Sequence, residues 1–149
     1  MSSTYRTAGL SFCFPPDWQA SEQPEDDRLS VTVSGEGTAF CTVTMLYDRP
    51  DPRQVLDAVV RAFRDEYQEL DVYPADSRVG SRPALGCDVD FICLELCNTA
   101  LVRAFRARQF TVLVLFQSSD AELPEMRPIF DQVCNSLNCE AGVLLDEMI

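Results

Sequence analysis

Histidine and lysine are both missing from this 149-residue chain, and all twelve of its basic residues are arginine. Histidine is the commonest general base and metal ligand near neutral pH, and lysine supplies Schiff bases and phosphate contacts. A Ser-His-Asp triad, a Cys-His pair and a His-containing zinc site therefore cannot be built here. Arginine stays protonated and cannot cycle a proton. Seven cysteines, four tyrosines and twenty-four carboxylates remain for chemistry. The composition leans away from an enzyme and towards a binding protein, with cysteine or carboxylate catalysis in an unrecognised arrangement as the rival.

Long apolar runs are also missing, and nothing approaches the roughly 20 residues of a membrane span. Neither an apolar signal segment nor a lipidation pattern stands at the N-terminus, so a cytoplasmic location is expected. A net charge of −12 disfavours nucleic acid and anionic membrane surfaces as partners. The cysteines are odd in number, and Cys13, Cys41, Cys87, Cys93 and Cys134 fall in apolar periodic stretches, as small buried hydrophobes do. Cys87-x5-Cys93-x3-Cys97 lacks the spacing of a zinc knuckle, and in one extended strand it would spread over about 33 Å. Neither a metal nor a cofactor is expected, and no GxGxxG, P-loop or GxSxG motif is present.

What is there is mostly strand-like alternation. Leu10, Phe12 and Phe14 alternate up to Pro15-Pro16; Glu22–Arg28 reads as an acidic loop; Leu29, Val31 and Val33 alternate up to Gly35; and a further strand covers about residues 38–47. The period then changes. Asp51 as N-cap and Pro52 at the first helical position open a helix whose Val55, Leu56, Val59, Val60, Phe63, Tyr67 and Leu70 share one face. Asp57, Arg61 and Asp65 on the other face are spaced for i, i+4 pairing. Strand-like residues 71–79 precede three long strands, about 84–96, 101–108 and 110–117, joined at Asn98-Thr99 and Arg108-Gln109 as antiparallel hairpins. Met126, Ile129, Phe130, Val133, Cys134 and Leu137 then recur at helical spacing. The pattern predicts one α+β domain over residues 1–137, with a six- to seven-stranded, mainly antiparallel sheet and two helices. Residues 138–149 read as a tail with an apolar Val143-Leu144-Leu145.

The opening Gly9-Leu10-Ser11-Phe12-Cys13-Phe14-Pro15-Pro16-Asp17-Trp18 resembles the G-x-x-F-x-x-P-x-x-W entrance of PsbP-like domains. Phe130-Asp131-Gln132-Val133-Cys134-Asn135-Ser136-Leu137 is similar to their closing helix, and Gly80-Ser81-Arg82-Pro83-Ala84 before a three-stranded meander also matches. The resemblance spans residues 5–137. It implies the scaffold shared by extrinsic photosystem II subunits, a Ran-binding nuclear import factor, DcrB lipoproteins and the Eag chaperones of type VI secretion. That scaffold binds partners and has no common active site. Without an export signal, the chain is nearest to the cytosolic members of bacterial type, and no functional residue carries over.

Centring the first hairpin on Asn98 places Asp90 opposite Arg106 and Asp88 opposite Arg108; Arg106 then also faces Thr111, and Ala104 faces Leu113. Such pairs set strand register or form a polar ligand patch. The same register groups Val89, Phe91, Cys93, Phe105, Val112, Val114 and Phe116 on a covered face. Ile92, Leu94, Leu96, Val102, Ala104, Leu113 and Leu115 fall on the other. That face is too apolar to be left in water, so the N-terminal strands, the second helix, a partner or a second copy must cover it. Asp88, Asp90, Leu94, Arg106, Arg108, Leu113 and Leu115 are thus the candidate partner-binding residues. The favoured reading is an adaptor or chaperone-like protein that binds a protein through a sheet face; a structural homodimer is the alternative. Trp18 reads as a core plug beside the sheet.

Overall fold

A computed structural model describes residues 1–139. Strands β1 (Ser3–Thr7) and β2 (Leu10–Phe14) form an antiparallel pair of their own. The main sheet contains β3 (Gln19–Pro24), β4 (Arg28–Ser34), β5 (Phe40–Leu46), β6 (Leu70–Pro74), β7 (Ser77–Val79), β8 (Arg82–Cys93), β9 (Leu96–Arg106) and β10 (Thr111–Ser119). Its order is β3-β4-β5-β10-β9-β8-β6, with β7 also paired to β8, and every pairing is antiparallel. The two helices are α1 (Pro52–Glu66) and α2 (Leu123–Ser136). The α+β class holds. The expected acidic loop is half strand: β3 is an exposed edge strand of polar residues that reaches Pro24 before the chain turns.

Each face of the sheet has its own helix. On one face, α2 and the β1–β2 pair cover Val31, Val33, Cys41, Val43, Leu101, Phe105, Val112, Val114 and Phe116; Trp18 is buried in the same cluster. On the other, α1 lays Val55, Leu56 and Phe63 over Val89, Phe91, Ala100, Val102 and Ala104. Val59, Val60 and Tyr67 of the expected stripe pack there too, but the helix ends at Glu66, and Leu70, expected on it, opens β6 and joins the cluster from the strand. Asp51 caps α1 by accepting the Arg53 N–H at 2.8 Å, as its position predicts. The i, i+4 pairs expected on the outer face of α1 do not close: among the described residues, ion pairs form only at Arg28–Asp27 and Arg103–Asp88.

One register expectation holds and one is overturned. In β9–β10, Arg106 lies opposite Thr111 and Ala104 opposite Leu113, with Arg108-Gln109 between the strands. The β8–β9 turn lies at Leu94-Glu95, so Asp90 faces Thr99 and Asp88 faces Leu101. This differs from the Asn98-centred register by an odd number of residues, which moves every β8 side chain to the opposite face. Val89 and Phe91 thereby pass under α1, where both are buried. Either register buries the two side chains; the one formed sets Phe91 against Phe63 and Tyr67, with ring centres 5.1 and 4.5 Å apart, and brings Asp88 to the buried Arg103. The chain end differs as well: Asn138, expected in the tail, bridges Ser11 through two 2.9 Å backbone hydrogen bonds, and Cys139 is buried. Val143-Leu144-Leu145 lie outside the described residues.

Candidate functional site

The expected ladder of alternating Asp and Arg is not assembled, because the register that would pair its members is not the one formed. Arg106 instead donates to the Arg49 carbonyl at 2.8 Å, fastening the approach to α1. Arg108 is exposed in the β9–β10 turn. Asp90 accepts from the Thr99 hydroxyl at 2.9 Å, and that hydroxyl also lies 2.7 Å from Asp120. Leu113 and Leu115 are half-buried against the α1 cluster and do not stand open as a docking face. α1, not the N-terminal strands or α2, covers their side of the sheet.

Asp88 has a partner the sequence reading missed. Arg103, only 4% exposed, holds Asp88 at 2.9 Å. It also donates to the Ser77 hydroxyl at 3.0 Å and to the carbonyls of Val102 at 2.9 Å and Cys87 at 3.3 Å. Its guanidinium lies 5.3 Å from the centre of the Phe130 ring. The residue opposite it on β8 is Gly86, where a Cβ would come within 2.7 Å of the Arg103 stem and 2.4 Å of the Ala75 carbonyl. An arginine inside the apolar run Leu101–Phe105, with a glycine in a neighbouring strand, was the available signal. This network anchors β7 and β8 beneath α2. It also gives no support to a reactive thiol: Cys87 and Cys134 both feel Arg103, yet burial pushes both up, Cys134 to about 12.

Of the expected partner-binding residues, Leu94 stands farthest from the core. The β8–β9 tip exposes Ile92 (41%), Leu94 (91%) and Leu96 (63%). Leu94 and Glu95 sit between the paired Cys93 and Leu96 with φ of +52° and +66°. A two-residue turn with positive φ at both positions ordinarily takes Asn-Gly or Asp-Gly, and side chains such as Leu and Glu are strained there. Beneath the tip, a shallow groove of about 420 Å³ is bordered by Glu66, Tyr67 and Glu69 at the end of α1 and by Ile92, Cys93 and Leu94 of the hairpin. Tyr67 packs on Phe91 at 4.5 Å between ring centres, and the Ile92 amide donates to the Glu69 carbonyl at 3.2 Å, so the base of the hairpin is held against the end of α1. The surround is acidic: Glu66 and Glu69 border this groove, Asp71, Asp90 and Asp120 border the next, and no arginine lines either.

A larger groove, about 620 Å³, runs between the outer side of α1 and strand β6. Leu56, Val60, Val72, Pro74 and Cys87 contribute apolar surface, and Arg53, Arg61 and Arg64 project from the helix into its lining. Among the described residues, no three His, Cys, Asp or Glu side chains are grouped to hold a metal, and no helix is long and apolar enough to cross a membrane.

No protein-family model matches the chain, and no curated protein matches it in sequence. Solved structures do match in shape. A protein from Bacteroides thetaiotaomicron superposes with a TM-score of 0.62 at 10% identity over 91% of this chain; the chain spans about half of that protein, 47%. Cyanobacterial PsbP from Synechocystis matches with a TM-score of 0.60 at 13% identity over 93% of this chain and 92% of its own. A Pseudomonas aeruginosa protein of unknown function matches at 0.55 and 12% identity over 90% and 94%. At such identities the likeness concerns the fold alone, and the fold of this chain is PsbP-like.

Proposed function

We propose that this protein is a non-catalytic binding module, adaptor or chaperone-like in role, that engages a protein partner through the tip of the β8–β9 hairpin. The observation that carries this reading is Leu94: a large apolar side chain, 91% exposed, at a backbone position that disfavours it. Two non-glycine residues at positive φ cost about 1–3 kcal/mol each, and a leucine in water returns nothing to the fold. Residues that bring strain without a local benefit cluster at sites of function. Ile92 and Leu96 widen the tip into an apolar knob, which suits insertion into a partner's cleft.

The acidic surround favours a partner whose cleft has a basic rim. Two copies meeting tip to tip would bring Glu66, Glu69 and Glu95 against their equivalents, which disfavours a homodimer at this surface. Cys97, exposed beside the tip, offers a direct test. A photoactivatable crosslinker attached there should capture a discrete heterologous partner in the native cell extract. The same crosslinker on Ser21→Cys/Cys97→Ser, at the β3 edge and with the tip thiol removed, should not. An adduct of two copies of this chain, equal capture from both positions, or no adduct from Cys97 would each contradict the proposal.

A further inference from the structure

We propose that the groove between α1 and β6 is a binding site for a small amphipathic monocarboxylate, one carboxylate carried on an apolar chain or ring. The site is independent of the hairpin tip. Its accessible apolar surface comes from both walls, Val60 on α1 and Val72 and Pro74 on β6, with the buried Leu56 at its floor, and its volume of about 620 Å³ lies within the range of small-molecule pockets, roughly 300–1,000 Å³. Arg53, Arg61 and Arg64 lie along one side of α1, within three turns. Among the described residues none of the three is in an ion pair, although Asp57 is spaced to pair with two of them. Asp76, the other carboxylate of the lining, accepts the Gly86 N–H at 2.9 Å.

Charge selects the ligand class. Three guanidinium and two carboxylate groups give the lining one net positive charge, an island on a chain of net charge −12. A monoanion neutralises that charge, whereas a phosphate monoester would bring an excess negative charge beside Asp57 and Asp76. Guanidinium forks match a carboxylate in two parallel hydrogen bonds. The apolar body of the ligand would cover Val60 and Val72, which α1 and β6 leave half-buried, and the exposed Pro74.

Calorimetric titration with decanoate, kept below its micellar concentration, tests the site on the full chain. Saturable one-to-one binding is expected. Uncharged decanol and dianionic decyl phosphate should each bind about tenfold more weakly or worse, as should decanoate to Arg61→Gln/Arg64→Gln, since a charge-assisted hydrogen bond is worth that factor or more. Both arginines are exposed, so the double variant should keep the wild-type urea midpoint; should it unfold, Arg53→Gln probes the same charge. Decanoate binding to Leu94→Ser should be unchanged, which separates this site from the hairpin tip. Absence of saturable binding, decanol binding as tightly as decanoate, or full affinity in the arginine variants would overturn the proposal.

Discussion

Arg103 holds a full charge almost out of water, and its surroundings show how the fold tolerates it. Carbonyl, hydroxyl and carboxylate acceptors meet the guanidinium on several sides, and the Phe130 ring lies alongside. A buried charge of this kind is weak evidence for stability, but removing its counter-charge is costly because the ion is then uncompensated. Asp88→Ala should therefore destabilise the protein by about 2 kcal/mol, the worth of a hydrogen bond to a charged group. Arg103→Met should cost less, because Asp88 is 26% exposed and water can replace the lost donor. Urea denaturation of the two variants checks the order, and a larger loss in Arg103→Met would show that the network itself carries the stability. The apolar run around Arg103 marked the residue as unusual without fixing which way it points. Its direction follows from the pairing of β9 with β8, which is a property of two strands together.

The element most legible in the sequence is α1, because Asp51, Pro52 and an uninterrupted apolar stripe agree on its start and its buried face. The β9–β10 hairpin was legible for a similar reason: its short connection and its alternation give the same register. The β8–β9 hairpin was not. Asn98-Thr99 carries ordinary turn chemistry, and the Asp and Arg residues on either side would pair around it, so local rules favour that turn over Leu94-Glu95. Packing of Phe91 on Phe63 and Tyr67 at the end of α1, and the pairing of Asp88 with Arg103, override them. The turn left at Leu94-Glu95 is strained, and relieving it should stabilise the element. Leu94→Asn/Glu95→Gly places the preferred type I′ residues at the two positive-φ sites and should raise stability by about 2 kcal/mol, from relief of about 1 kcal/mol or more at each. A higher denaturant midpoint with an unchanged slope is the expected reading. A lower midpoint would mean that the leucine packs onto the hairpin in solution.

At the scale of the whole molecule, charge and apolar surface are sorted by place. The hairpin tip sets an apolar knob in an acidic surround, and the outer side of α1 gathers three of the twelve arginines around an apolar groove. The sheet lies between, covered by one helix on each face, and this is why the surface proposed for a partner is the hairpin end and not a sheet face. The missing histidine and lysine narrowed the chemistry, and the alternation and the entry and exit motifs indicated the fold. Neither indicated where a partner would sit, because that depends on which hairpin residues extend past the helices. The central claim is that Leu94 is held in a strained, exposed position for the sake of a partner. It is tested most directly by comparing Leu94→Asn/Glu95→Gly with the wild type for both stability and capture of the partner crosslinked through Cys97. The account predicts a protein that is more stable and has lost the partner. A protein that is more stable and retains the partner in full would contradict it.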